Sequence, residues 1–227
     1  MALGNEVELL IKVVPLAMGA AFTPSLFALQ ILTTSSPKWR SRSLAFALGS
    51  ASAFFLACTV LFLGFMQLPH HKPASPDPVS GVLWSLAAAV LLGVAVWLFW
   101  PHGQLTKTVE EKLTGRVEKA NIWTFFGVAF ALSIKDITSF ALIVPALHET
   151  VEANVNLLFQ LATALFVFAL ALFPVILPPL WRTLMPHNAT RDLAVIYRFT
   201  MDNQFRIVGV IATLFCIYCV VMAIAAF

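Results

Sequence analysis

Lys135 and Asp136 stand side by side in a stretch that is otherwise largely apolar, and no other residues in the chain are so placed for chemistry. The run Ser133-Ile134-Lys135-Asp136-Ile137-Thr138-Ser139 puts five polar side chains into seven positions. If this segment is a helix that enters a bilayer near Asn121, Lys135 lies about 14 residues, or roughly 20 Å, deep. That is inside the hydrocarbon. A lysine or aspartate at a helix centre costs about 2.5 to 3.5 kcal/mol on insertion scales, so both groups must be solvated, paired or neutralised. Neighbours project about 100° apart on a helix, so a local Lys135–Asp136 ion pair would leave donors and oxygens over. Two roles stay open: a buried pair that ties helices together, or substrate and proton handling. In the second, Asp136 suits a proton-coupled step and Lys135 an anionic substrate group.

Near the start of the chain, Thr23-Pro24-Ser25 forms a second break. Pro24 has no backbone N–H and clashes with the preceding turn, which frees a carbonyl beside two hydroxyls. Gln30, Ser50, Ser52, Thr59, Gln160 and Thr163 are further polar residues in apolar surroundings. Ser50 and Ser52, with Gly49, read first as marks of close helix packing. Cys216-Ile217-Tyr218-Cys219 has redox-pair spacing, which opens a transmembrane thiol relay as one reading, but in this setting cysteine also serves as a small apolar residue. His70 and His71 lack a third ligand, so no metal site is expected. No catalytic triad, phosphate-binding glycine loop or ATP-binding domain is legible, so the chain is expected to be no enzyme and to use no cofactor.

The elements that position these residues follow from composition. Of 227 residues 60% are apolar and 11% charged, and the mean hydropathy is +0.89. Soluble domains carry about 25% charged residues, so this is an all-α integral membrane protein. The net charge of +3 suggests no nucleic acid partner. Apolar runs near 9–33, 43–67, 79–100, 122–147, 155–180 and 206–227 predict six transmembrane helices. All six tryptophans fall near their ends. Glu6 and Glu8 precede the first run where a signal peptide would be positive, so that helix is expected to remain in the mature protein. Pro174, Pro178 and Pro179 are expected to bend or end the fifth helix.

Connections after the first, third and fifth helices hold Lys38, Arg40, Arg42, Lys107, Lys112, Arg116, Lys119, Arg182, Arg191, Arg198 and Arg206, against Lys12 and Lys72 opposite. The positive-inside rule therefore places both termini outside the cytoplasm of a bacterial inner membrane. The 101–121 stretch reads as a cytoplasmic interfacial helix, with 182–202 a weaker example. The proline-rich 69–78 stretch is an external loop. One membrane domain, 1–227, is expected, with a first repeat about 9–100, the linker about 101–121 and a second repeat about 122–227.

Three helices plus three mean that the second half, if it repeats the first, must be upside down, and the sequence points to such a repeat. Gly19-Ala20-Ala21-Phe22-Thr23-Pro24-Ser25-Leu26 lies over Gly127-Val128-Ala129-Phe130-Ala131-Leu132-Ser133-Ile134 with four identities in eight. Paired discontinuous helices meeting at the midplane of such a repeat are a common transporter binding site.

Three features carry a family resemblance: Ala21-Phe22-Thr23-Pro24-Ser25, Ser133-Ile134-Lys135-Asp136, and Asp202-Asn203-Gln204-Phe205-Arg206-Ile207 at the start of the sixth helix. Over nearly its whole length the chain resembles the lysine exporter (LysE) superfamily, and within it the GAP/Sap branch named for glycopeptidolipid and sulfolipid export. Amino-acid exporters of the superfamily tend to have Pro-Gly-Pro at Thr23-Pro24-Ser25 and Asn-Pro-Lys at Ile134-Lys135-Asp136. This departure points from an amino-acid substrate towards the envelope-lipid branch or an unassigned substrate.

The resulting expectation is an exporter of a small polar or amphipathic molecule, an envelope lipid or glycolipid among them, working by alternating access. Thr23, Pro24, Ser25, Gln30, Ser133, Lys135, Asp136, Thr138 and Ser139 would bind or couple, and Asp202, Asn203 and Arg206 would gate the cytoplasmic side. Membrane lipid, a second copy of the chain or an envelope-biosynthesis protein would be its partners. The competing readings are a non-transporting membrane subunit of an envelope-synthesis or lipid-export machine, an amino-acid exporter, and the thiol relay.

Overall fold

The computed structural model describes residues 2–21, 23–36, 38–68, 78–99, 121–153, 155–185 and 189–226. Its elements are α1 (Ala2–Ala20), α2 (Pro24–Ser35), α3 (Trp39–Phe65), α4 (Pro78–Phe99), α5 (Ile122–Ile134), α6 (Ile137–Glu152), α7 (Leu157–Leu184) and α8 (Ala189–Ala226). All the described secondary structure is helical. The segments Trp39–Phe65, Val79–Leu98, Leu157–Leu184 and Phe205–Ile224 are each long and apolar enough to cross a membrane. The α1/α2 pair is bent by 55° and the α5/α6 pair by 63°, and counting each as one span gives six. The expected linker helix at 101–121 and the His70-His71 loop lie outside the described residues, except that Asn121 caps α5.

Local chemistry sets the helix starts. Pro24 occupies the first turn of α2, where its missing N–H is harmless and its fixed φ suits a helix. Asn121, Asp136 and Asn156 cap α5, α6 and α7 by accepting backbone N–H bonds from Ile122 (2.7 Å), Ser139 (3.2 Å) and Leu158 (2.8 Å). Gln160 reaches back to the carbonyls of Val151 (3.2 Å) and Ala153 (3.0 Å), which closes the end of α6.

One expectation about helix boundaries needs correction, and one pair of alternatives narrows. Pro174, Pro178 and Pro179 lie inside α7, so that of bending or ending the helix they do not end it. The surface helix expected over 182–202 is no separate element, because α8 runs unbroken from Ala189 to Ala226.

The core is built from helical stripes. Leu9, Val13, Leu16, Ala17 and Ala20 recur on one face of α1 and pack with Leu142, Ile143, Ala146 and Leu147 of α6. Small residues allow close approach between α4 and α8: Ala87, Ala88, Leu91 and Ala95 belong to the same core as Ala212, Cys216, Cys219 and Ala223. All three cysteines are free and buried, and the Cys216 thiol donates to the Ala88 carbonyl at 3.4 Å. They take the part of small packing residues here.

At Gly49 the backbones of α3 and α5 touch so closely that a Cβ would run into the Phe126 carbonyl, whereas Gly127 faces open space. Gly49→Ala should therefore lower the unfolding free energy in detergent by about 1 to 3 kcal/mol, the usual effect of overpacking against an atom that cannot move aside. Gly127→Ala should leave the thermal midpoint unchanged or raise it, and equal effects would show that the α3/α5 contact is not so tight.

Candidate functional site

The two breaks meet. Pro24 leaves the Ala20 carbonyl without its helical donor, and the hydroxyl of Ser139, in the first turn of α6, lies 2.9 Å from that oxygen. Thr23 makes no cap bond to α2, because its Oγ1 points across to Asp136 Oδ2 at 2.9 Å. Ser139 Oγ is 2.6 Å from the same Oδ2 and 3.2 Å from Thr23 Oγ1. Asp136 Oδ1 accepts the Ser139 backbone N–H at 3.2 Å. Thr23 and Ser139 are buried. Two helix N-termini, those of α2 and α6, thus abut through one carboxylate and two hydroxyls contributed by both halves of the chain. Helix N-termini favour negative charge, so the position suits a carboxylate.

The remaining expected site residues are dispersed. Lys135 caps the C-terminal end of α5 and is exposed, and it makes no ion pair with Asp136. The local Lys135–Asp136 pair is therefore not formed, since Thr23 and Ser139 turn the carboxylate the other way. Ser25 is exposed and Pro24 half-buried. Ser133 is buried with no hydrogen-bond partner for its hydroxyl, one α-helical turn before Asp136. Thr138 is half-buried and contributes a backbone N–H to Asp136. Gln30 is fully buried but belongs to another contact. Its Nε2 donates to the Ser43 carbonyl at 3.2 Å, beside a Thr34–Ser43 hydroxyl pair at 3.1 Å that ties α2 to α3. Asp202 and Arg206 are exposed on α8, and Asn203 donates to the Phe199 carbonyl at 3.0 Å. None of these three bonds to the Thr23–Asp136–Ser139 cluster among the described residues.

The octapeptide register also shifts. With Gly19 over Gly127, Thr23 falls on Ala131, while the cap that takes the place of Thr23 in the second half is Asp136. The two breaks correspond by their geometry and not by the aligned letters.

Sequence reasoning missed a second polar cluster. Glu149, near the end of α6, accepts from Lys12 Nζ (3.2 Å), Ser80 Oγ (2.8 Å) and Trp84 Nε1 (3.0 Å), so α1, α4 and α6 converge on one carboxylate. Tyr218 of α8 donates to the Lys12 carbonyl at 3.3 Å and lies edge-on to Trp84. Ending the fourth span at 147 put Glu149 outside it, although α6 continues to Glu152. Lys12 is a flanking charge on a helix expected to begin at 9, although α1 begins at Ala2. A lone lysine in one apolar run and a lone glutamate at the far end of its counterpart was the available signal. At the opposite end of the bundle, Arg40 and Arg182 stack on Trp39 and Arg42 on Phe125.

Removing Glu149 strands three donors, and leaving a buried charge without its partner is more damaging than losing the pair altogether. Glu149→Ala should lower unfolding free energy in detergent by about 2 to 3 kcal/mol, short of the fully buried case because the Lys12 side chain is 32% exposed. Adding Lys12→Met to Glu149→Ala should recover at least half of that loss in a double-mutant cycle; additive losses would show that the two residues do not interact.

No curated protein and no solved structure matches the chain. A family model described as Sap, sulfolipid-1-addressing protein, matches residues 13–225, and so spans both broken helix pairs and the contact between them. The chain belongs to the Sap, sulfolipid-1-addressing protein, family.

Proposed function

We propose that this protein is a secondary-type exporter in the bacterial inner membrane that moves a small amphipathic molecule, an envelope lipid or glycolipid, by alternating access. The observation that carries the reading is the hydrogen bond from Thr23 to Asp136, which joins two broken spans at their breaks. Carriers need a contact of this kind: polar enough to hold in one state, weak enough to part in another, and deep enough to be reached from either side.

Six spans in two inverted three-helix repeats, as in the lysine exporter superfamily, is the architecture behind this proposal. Its support is metric. If α5 stands along the bilayer normal, its 13 residues cover roughly 20 Å and the 16 residues of α6, bent by 63°, add roughly 11 Å, close to the hydrocarbon thickness. The break then lies past the midplane. The arginines stacked on Trp39 and Phe125 mark the cytoplasmic end, which leaves Lys12, Glu149 and both termini on the other side. Lys135, exposed beside the break, would meet an anionic headgroup, and Asp202, Asn203 and Arg206 would control the cytoplasmic mouth. A second copy of the chain or an envelope-biosynthesis protein would be the partner.

The family's name speaks of addressing and not of transport, and so favours one alternative: a membrane subunit that assists a lipid-export machine without carrying lipid itself. The two separate cleanly. In the native host, Thr23→Val combined with Ser139→Ala should leave protein abundance unchanged but cut the outward transfer of the affected envelope lipid at least about tenfold, the equivalent of roughly 1.4 kcal/mol. Lipid distribution would be read by mass spectrometry of separated inner-membrane and surface fractions, beside a deletion strain. Normal distribution in the double variant, with an abnormal one in the deletion strain, would favour the assisting subunit.

A further inference from the structure

The four oxygens at the helix breaks form a chain with a countable demand for hydrogens. Ser139 Oγ lies 2.9 Å from the Ala20 carbonyl and 2.6 Å from Asp136 Oδ2, and Thr23 Oγ1 lies 2.9 Å from Oδ2. All three separations are hydrogen-bond lengths. With Asp136 ionised, only the two hydroxyls bring hydrogens, and Ser139 has one to divide between two acceptors. Either the carbonyl freed by Pro24 is left bare, or two lone-pair oxygens face each other across 2.6 Å. One more hydrogen completes the chain: Thr23 donates to Asp136, Asp136 to Ser139, and Ser139 to Ala20.

No positive charge substitutes for that hydrogen. Among the described residues no lysine, arginine or histidine pairs with Asp136. Lys135 on α5 is exposed, α2 and α4 carry no ionisable side chain, and α3 brings only the thiol of Cys58 between its terminal arginines and its end. The charged residues of α1 nearest the break end at Lys12, which Glu149 holds. On α6 itself the next ionisable residue after Asp136 is His148, three turns away and edge-on to Phe65. The Arg182 of α7 stacks on Trp39 at the far end of the bundle. Asp136 is half-buried, and against the cost of its charge stand only the two hydroxyls, the Thr138 and Ser139 backbone N–H groups and the helix N-termini, with no cation; neutralisation by a proton is the usual escape for a carboxylate so placed.

We infer that Asp136 is a proton-binding site whose occupancy locks α6 to the α1/α2 break, so that proton release is the step that parts the two broken spans. This rests on the exporter reading and names its coupling ion. With the proton gone, the Ser139 hydroxyl must abandon either Ala20 or Asp136, and the Thr23–Asp136–Ser139 chain is the only polar tie between the breaks among the described residues. The released carboxylate, adjoining the exposed Lys135, is then free to face water.

The test is infrared difference spectroscopy of the full-length protein in lipid nanodiscs, comparing wild type with Asp136→Asn at neutral pH in sodium-free buffer. The expected result is a protonated-carboxyl stretch in the wild type that Asp136→Asn abolishes and Glu149→Gln leaves in place. Asparagine can donate to Ser139 as the protonated acid does, so this variant should fold, with a thermal midpoint that no longer varies with pH through the range where the band disappears. In Ser139→Ala the band should persist at higher frequency, since the acid has lost its acceptor. Absence of any Asp136-dependent band overturns the proposal. So does a band that sodium removes at fixed pH, which would make the oxygens a metal-cation site. Because the spectrum needs no cargo, a missing band leaves export untouched, whereas normal lipid distribution in the Thr23→Val, Ser139→Ala variant removes the exporter reading whatever the spectrum shows.

Discussion

Inside hydrocarbon every polar group must find its partner within the protein, and this single constraint orders the bundle. Pro24 opens a hole in the hydrogen-bond ladder at Ala20, and the second break leaves Asp136 capping a new helix with one oxygen to spare. Each break holds what the other lacks. Ser139, placed in the first turn of α6 by the Asp136 cap, supplies the hydroxyl that Ala20 needs, and Thr23, free of any cap bond because Pro24 already starts α2, supplies the hydroxyl that Asp136 accepts. The apolar stripes on α1 and α6 then register around that contact, with Ala17 and Ala20 buried on one side and Leu142 and Ile143 on the other. Had either helix run straight, neither half would carry the donors and acceptors that bind it to its counterpart.

A second tie joins the same two broken spans some distance along. Lys12 on α1 meets Glu149 on α6, with Ser80 and Trp84 of α4 completing the carboxylate's bonds. Between Ala20 and Lys12 lie about two helical turns, and the intervening contacts are apolar. The α1/α6 seam is therefore fastened at two depths by polar groups and lined between them by side chains that slide without loss of specific bonds. Under the exporter reading, opening the seam at one depth would leave the other fastening in place, as exposing one face at a time requires. The α4/α8 contact buries alanines and cysteines, and the Cys216–Ala88 bond is its polar fastening among the described residues.

Much of this was legible in the letters because lipid punishes ambiguity. Six apolar runs, a proline in one and an adjacent lysine and aspartate in another leave little freedom about where spans and breaks fall. What the letters hid depended on direction. Lys135 and Asp136 are neighbours in sequence, yet one is exposed and the other turns into the bundle; only the 63° bend and the cap decide that. Gln30 shares a helix with Thr23 but bonds to Ser43 on α3. Glu149 was hidden by a boundary: a hydropathy window closes a span at the first cluster of polar residues, while helix ends follow capping, and here Gln160 caps α6 beyond Glu149. The prolines of α7 left bending and ending equally open in the letters, and the helix continues through all three, as a membrane helix can where its surroundings re-satisfy freed backbone groups.

The choice between a brace and a moving part turns on economy of structure. Buried polar ties seldom add stability beyond what well-packed apolar residues of similar volume would supply, and an unbroken helix needs no proline, no cap and no carboxylate at membrane depth. A brace would be firmer without any of them. Two interruptions joined by hydrogen-bonded oxygens and flanked by the unpartnered buried hydroxyl of Ser133 make sense for a contact that must form and part repeatedly. Lys135 sharpens the point. A cation left exposed beside that contact, with Ile134 and Ile137 exposed on either side, is destabilising to keep in hydrocarbon unless water or an anionic group reaches it for part of the time. Both features follow if the breaks line a route through the bilayer, and neither follows from a bundle whose only task is to hold its shape.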